Sequence, residues 1–392
     1  FRMPKDTSKS AIFVFISTPP SIKTATGKRY YPGLSGLRAI AALTVLFTHV
    51  DRLRRLSGMK PLIDPAFNSF IGGTAVTFFF VLSGFLITLL LLNEKAAEGT
   101  IRIRSFLANR ALRIWPLYYV TLVAGYVVSI FVLQETDADP VSNGFLLNLL
   151  LLPNVSFVLG RLPDILIQLW SIGTEEQFYL VWPFFVKRLS AAGLIRVFII
   201  ILLFWVVARM PIQLLRVDAD WFNAFLFRTR IDCMAIGGFA ALLLFYQESS
   251  TGWWSGVYRV ILRPLTGWVS ALGFIFLLVL SGRYHVSLYQ LYALLFAIGC
   301  LRVTGLPVRW LEFAPLRYLG KISYGIYLLH HFALYFLFKV VLVHFHLPAA
   351  VIFFLAVLLT TGLAAFSYTF FESFFLKRKV RLRAPSPGPT LS

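Results

Sequence analysis

Charge is what this chain has least of. Only 14% of its 392 residues are charged and 58% are hydrophobic, where a soluble domain carries about a quarter charged and near half apolar residues. Mean hydropathy is +0.77, which excludes an ordinary soluble domain and points to a polytopic membrane protein. Acidic residues are scarcer still, 17 against 37 Lys and Arg. The basic residues lie in short segments between apolar runs, a pattern that suits anionic lipid rather than nucleic acid. There are two cysteines, Cys233 and Cys300, both inside apolar runs, so neither a disulfide framework nor a cysteine metal site is expected. The chain also lacks a phosphate-binding Gly-rich loop, an HExxH helix and a GxSxG turn, and with them the chemistries those motifs carry. No ligand spacing calls for a metal. Repeats and heptads are absent, and the one biased segment is the Pro/Ser-rich end APSPGPTLS.

What the chain has in abundance is apolar runs long enough to cross a bilayer. They fall near 36–51, 69–92, 111–133, 165–187, 193–210, 225–247, 264–281, 285–303, 319–343 and 349–371. The expected fold is therefore all-α, about ten transmembrane helices around a polar interior. Residues 144–159 read as a re-entrant or interfacial piece, because Pro153 and two Asn interrupt them. An even number of spans puts both termini on one side. With the termini cytoplasmic, 25 Lys/Arg fall on the inner side and ten on the outer, as the positive-inside rule asks. Arg52, Arg54, Arg55 and Lys60 in the first outer loop go against that rule and offer a site for an anionic acceptor or lipid headgroup. The domain reading is a basic N-terminal tail over 1–32, whose apolar run Ala11–Ile16 is too short for a signal-peptide core, a membrane domain over 33–376, and a basic, then Pro/Ser-rich, cytoplasmic tail over 377–392.

Ionisable residues inside spans are costly and so suggest a functional site. In the first span, GLSGLRAIAALTVLFTHV, Arg38 and His49 are eleven residues apart. Three helical turns separate them, so they share a face about 16 Å apart along the axis. The third span opens with FLANRALRIWPLYY, where Arg110 and Arg113 share a face and offer planar donor forks suited to phosphate. The fourth reads QLWSIGTEEQFYLVWP. Ser171 and Glu175 lie one turn apart on one face while Glu176 points away. In RTRIDCMAIGG, an ion pair of Arg228 or Arg230 with Asp232 at the outer surface is expected. Tyr324, Tyr327, His330 and His331 in LGKISYGIYLLHHF, with Tyr368 and Glu372 further on, add polar groups that hydrogen-bond across helices. Each pattern has a plainer structural reading as a topology signal or helix glue. Together they suit acid–base work on a hydroxyl with a phosphate-bearing co-substrate.

At these residues the chain resembles the membrane-bound acyltransferase-3 family of bacterial integral-membrane O-acyltransferases. Three patterns occur in family order: Arg38 and His49 with ten residues between them, Arg110-x-x-Arg113, and Ser171-x-x-x-Glu175. The surrounding GLRAIAAL, FFFVLSGFLI, LWSIGTEEQFYLVWP, RIDCMAIGG and SYGIYLLH are similar too, and the resemblance covers about 30–376. It implies His49 as the catalytic histidine with Arg38 as its motif partner, Arg110 and Arg113 on the phosphates of cytosolic acyl-CoA, and Ser171 and Glu175 completing the interior site. Tyr327, His330 and Asp232 would belong to the polar interior. The activity implied is transfer of an acyl group, usually acetyl from acetyl-CoA, to a hydroxyl of an envelope glycan, a lipid-linked sugar or a small secreted molecule. The setting would be the bacterial cytoplasmic membrane, with membrane lipid and a hydroxyl-bearing acceptor as partners. Some relatives carry a C-terminal esterase-like domain; the expectation here is the form without one.

The positive-inside arrangement adds a constraint. It puts the arginine pair and His49 on opposite sides of the midplane, so the pantetheine arm of a donor must reach inward. His49 then acts either as general base or as acyl carrier, and Glu175 is a candidate to orient a histidine. A competing reading uses the same buried His, Glu and Arg residues for substrate or proton binding in a transporter or flippase. The absence of paired repeats counts against it.

Overall fold

A computed structural model describes residues 22–23, 29–134, 143–215, 220–247, 252–284, 288–306 and 308–378. Ten long helices correspond to the ten expected spans: α1 (Leu34–Leu56), α2 (Pro65–Glu98), α3 (Ile103–Phe131), α4 (Leu169–Arg188), α5 (Ala191–Leu215), α6 (Ile231–Tyr246), α7 (Pro264–Tyr284), α8 (Tyr289–Gly305), α9 (Ser323–Phe336) and α10 (Ala349–Phe366). Among the described residues, eight spans are long and apolar enough to cross a bilayer. Three of these exceed the helices just named, Ala224–Tyr246 ahead of α6, Ser323–Val341 beyond α9 and Ala349–Lys377 beyond α10. The other two helices are the glutamate-bearing α4 and α8, which is 17 residues long. This is an all-α polytopic membrane architecture.

The 144–159 stretch folds as two short helices, Asn143–Leu149 and Pro153–Val158. Proline lacks the N–H that would continue the first helix, and Leu151 just before it takes a left-handed φ of 62°. Neither piece is long enough to span. In the expected N-terminal tail, Ile22–Lys23 pairs antiparallel with Arg29–Tyr30. The rest of 1–28, and 379–392 with the APSPGPTLS end, lie outside the described residues.

Helix α2 is the axis of the fold. Asp64 caps its start, accepting from the Phe67 N–H at 2.9 Å, with Pro65 at the first helical position. Its middle is apolar on every side, as a helix buried within a bundle must be: Phe80, Val81, Phe85 and Leu91 are all fully buried. Where α2 crosses α6, Gly84 lies against the Met234 carbonyl and Gly237 against the Val81 carbonyl. A Cβ at either would stand 2.0 Å from the facing oxygen. Such paired small residues let membrane helices approach closely, where packing rather than hydrophobicity drives association. Helix α7 is the opposite case. Leu265, Trp268, Leu272, Phe276 and Val279 are all exposed, an apolar surface suited to lipid.

Helix α4 is fastened to its surroundings at both ends. Lys95 at the end of α2 donates to the Val186 and Leu189 carbonyls at 2.8 and 2.9 Å, satisfying carbonyls a helix end leaves open. At the other end Gln168 donates to the Leu328 carbonyl of α9 at 2.8 Å. The central polar residues of α4 are thereby held against α1, α2, α3 and α9.

Candidate functional site

The polar residues gather around two cavities that share one wall. The first has a volume of about 100 Å³. Arg38 of α1, Arg110 and Arg113 of α3, Ser171, Glu175 and Tyr179 of α4, Ser83 of α2 and Tyr324 of α9 all line it. The three sequence patterns therefore meet: the i, i+3 arginines and the i, i+4 Ser/Glu stripe turn their faces to one space, with Arg38 between. Tyr179, one further turn along the stripe, extends it. Its hydroxyl is 2.7 Å from Glu175 Oε2 and 3.0 Å from Ser83 Oγ. That continuation of the i, i+4 pattern was the available sequence signal for Tyr179. Arg110 lies over the Phe106 and Tyr179 rings. Among the described residues neither Arg110 nor Arg113 makes an ion pair, and Arg38 Nε is buried without a hydrogen-bond partner. Unmet guanidinium donors around one cavity fit a polyanionic group such as a phosphate.

The second cavity, about 370 Å³, is lined by His49, Arg52 and Arg55 at the end of α1, Asn68 of α2, Gln168 and Trp170 at the start of α4, Phe227, Arg228 and Arg230 ahead of α6, and Tyr289 of α8. Arg38 and His49 share a helix face yet open into different cavities. Val76 and Tyr327 line both. The Tyr327 hydroxyl lies 2.7 Å from Ser171 Oγ and 3.2 Å from the Gln168 carbonyl, so a hydrogen-bonded seam between α4 and α9 closes the partition.

His49 is backed by two further imidazoles. His330 Nδ1 is 2.6 Å from the Tyr327 carbonyl, which can only accept, so this nitrogen carries the proton and Nε2 keeps its lone pair. His49 Nδ1 lies 3.0 Å from the Val45 carbonyl and 3.2 Å from His330 Nε2. By the same logic it donates, and His49 Nε2 is left as an acceptor. His331 packs edge-on against His49 with ring centroids 4.7 Å apart, and both its nitrogens are buried without partners. One ligand nitrogen from each of the three rings lies within 4.8 Å of the others, the residue set among those described that one metal ion could bridge.

Two sequence expectations do not survive in their original form. Asp232 is not at the surface, and neither Arg228 nor Arg230 forms an ion pair with it among the described residues. It is fully buried, and the Gln290 amide donates to its Oδ2 at 2.7 Å. Arg230 instead donates to the Phe227 and Gly73 carbonyls and to Thr77 Oγ1 at 2.7–2.9 Å, and stacks 3.5 Å above the Tyr289 ring. Carbonyls and an aromatic face meet its donors without a carboxylate. Glu175, considered as a histidine's partner, lies with Arg38 in the first cavity, on the far side of the partition from His49. Glu176 accepts from the Trp115 indole at 2.8 Å. The pairing of His49 with His330 joins residues 281 positions apart, and no local pattern announces it.

The all-α membrane fold thus brings a histidine cluster and an arginine cluster to two cavities with one shared wall. A family model described as an acyltransferase domain matches residues 31–369, and the chain belongs to this acyltransferase-3 family. It is 26% identical over 346 residues to the peptidoglycan O-acetyltransferase OatA of Listeria monocytogenes, covering 79% of this chain and 50% of that protein. A Staphylococcus aureus protein provisionally named as an O-acetyltransferase is 26% identical over 388 residues, 90% of this chain and 58% of its own length. A Bacillus subtilis protein provisionally named as a peptidoglycan O-acetyltransferase is 33% identical over 165 residues, 40% of this chain and 24% of its own length. Except for that shorter match, the chain spans about half the length of these relatives. No solved structure is significantly similar to it.

Proposed function

We propose that this chain transfers an acyl group, acetyl above all, from cytosolic acyl-CoA to a hydroxyl of a glycan in the cell envelope. The observation that carries this reading is the pair of cavities meeting at Tyr327 and Val76, with three arginines on one side and His49 on the other. Family membership and the names of the relatives support it. In this reading both termini are cytoplasmic and the chain sits in a bacterial cytoplasmic membrane, so the arginine cavity opens inward and the His49 cavity outward.

The work divides between the cavities. Arg110, Arg113 and Arg38 hold the donor's phosphates, and the donor supplies an activated thioester carbonyl at the partition. Glu175, Tyr179 and Ser83 keep the arginine cavity from being uniformly cationic, so that the anion is released after turnover. His49 Nε2 accepts the proton of the acceptor hydroxyl as that oxygen forms its bond to the acyl carbon. The thiolate leaves as the C–S bond breaks and receives the proton. His330, accepting from His49 Nδ1–H, holds the imidazole in this tautomer, the service a carboxylate performs in other histidine sites.

The test is thioester consumption by the purified chain in nanodiscs with radiolabelled acetyl-CoA and envelope glycan. The wild type is expected to release free CoA and label the glycan, and His49→Ala to lower that rate by about 10²- to 10⁴-fold, the usual worth of a positioned general base. Acetyl-CoA that neither binds nor turns over would sink the proposal and favour a carrier.

A further inference from the structure

The His49 cavity has a chemical character of its own. Four arginines line it, Arg52, Arg55, Arg228 and Arg230, and among its described lining residues there is no Asp or Glu. Arg52 stands 3.8 Å from Asp164, with both side chains substantially exposed. Arg230 is buried to 1% exposure, and among the described residues its charge is met by carbonyls, a hydroxyl and ring faces. Among the described residues the Arg228 guanidinium makes ring contacts alone, 4.3 Å above Phe157, 5.2 Å above Trp170 and 5.6 Å above Phe227. A cation held away from water without a carboxylate is a standing electrostatic cost unless an anion arrives. Stacking on aromatic rings orients a guanidinium while leaving its edge donors unspent.

The same cavity holds two amides of complementary chemistry. Asn68 donates to the Thr48 carbonyl and Gln168 to the Leu328 carbonyl, at 2.9 and 2.8 Å. Both side-chain oxygens are buried with no donor facing them. Buried acceptors of this kind are rare unless something supplies an O–H. Unspent cationic donors beside unmet amide acceptors, with Trp170 and Tyr289 on the walls, match a sugar that carries both hydroxyls and an oxyanion.

We infer that the His49 cavity is an oxyanion-selective glycan site: its occupant is a hydroxylated carbohydrate bearing a carboxylate or a phosphate, held by Arg228 and Arg230. That this occupant is the acyl acceptor rests on the acyl-transfer reading; its binding does not. The anion comes either from an acidic sugar or from the diphosphate of a lipid-linked one, and both present the same oxygens to the arginines.

The test is equilibrium binding to the full chain in phosphatidylcholine nanodiscs. The probes are the disaccharide N-acetylglucosaminyl-N-acetylmuramic acid, its methyl ester and farnesyl diphosphate. The wild type is expected to bind the free acid at least tenfold more tightly than the ester. Arg228→Gln, which disturbs only ring contacts, should bring that ratio near one, whereas Arg113→Gln in the other cavity should leave it unchanged. Arg230→Gln should do the same as Arg228→Gln wherever it folds. Farnesyl diphosphate binding that depends on Arg228, in place of acid selectivity, supports the oxyanion site and assigns the charge to a lipid carrier. Acid and ester binding alike, with diphosphate binding indifferent to Arg228, overturns the inference. Acetyl-CoA turnover measured on the same preparation separates the two ideas. Turnover without charge selectivity defeats the oxyanion site alone; charge selectivity without turnover defeats acyl transfer and leaves the site.

Discussion

The two cavities use the same cation for different ends. In the first, Arg38, Arg110 and Arg113 share their space with Glu175, and the Tyr179 and Ser83 hydroxyls hydrogen-bond within it. In the second, Arg228 and Arg230 are held by aromatic faces and carbonyls, with no acid among the lining residues described. A cation beside an acid is partly neutralised and lets a polyanion bind and leave. A cation on a ring keeps its full charge in a low-dielectric site and is selective. The difference suggests that the first cavity handles a substrate that cycles with each turnover, while the second discriminates among acceptors.

The largest effect expected from breaking this contrast is in donor binding. Arg113→Ala removes a charge-assisted contact worth about 1.5–3 kcal/mol. Steady-state kinetics should show the apparent KM for acetyl-CoA rising about ten- to a hundredfold, by the conversion of 1.4 kcal/mol per decade. The rate at saturating donor should change far less, since the loss is of binding rather than of chemistry. Were Arg113→Ala to weaken acceptor binding as strongly as donor binding, the two cavities would not divide their labour.

A smaller effect belongs to the partition. Tyr327→Phe keeps the ring and deletes the hydroxyl that meets Ser171 Oγ at 2.7 Å. A hydrogen bond of this kind contributes about 1 kcal/mol. The ratio of glycan labelling to plain thioester hydrolysis should fall about fivefold as water gains access across the seam. Ser171→Ala breaks the same bond and should do the same, with the double variant no worse than either single one, the signature of one shared interaction. If Ser171→Ala alone abolishes turnover while Tyr327→Phe does not, the serine acts in the chemistry and not as a latch.

Much of this arrangement could be read in the chain before folding. Apolar runs located all ten helices, and helical spacing put Arg110 with Arg113 and Ser171 with Glu175. These are properties within one helix, where 3.6 residues per turn decides which side chains share a face. What lay hidden depends on which helices are neighbours. Arg38 and His49 share a face, but the partition that divides them comes from α2, α4 and α9. Asp232 has arginines two and four residues away in sequence, yet it accepts from Gln290 on another helix. His330 and His331 read as helix glue until α9 carried them against α1.

The smallest expected effect concerns those histidines, and it is a test between two uses of one cluster. A metal bridging His49, His330 and His331 needs a lone pair from each ring, and the rings are close enough to supply them. The carbonyls around the cluster argue for another use. His49 Nδ1 faces the Val45 carbonyl at 3.0 Å and His330 Nδ1 faces the Tyr327 carbonyl at 2.6 Å. A nitrogen that donates a proton cannot also ligate, so both rings must ligate through Nε2 if they ligate at all. His330 Nε2, however, stands 3.2 Å from His49 Nδ1 and serves as that donor's acceptor. The hydrogen-bonded relay and the metal compete for the same lone pair. If the relay is the working state, dialysis of the protein against EDTA should leave acetyl-CoA turnover within about twofold, the change expected when no ligand bond is lost. His330→Gln, whose amide oxygen can accept from His49 Nδ1–H, should then retain more activity than His330→Ala. Loss of turnover on chelation, restored by zinc, would reverse the assignment and make the second cavity a metal-dependent acceptor site.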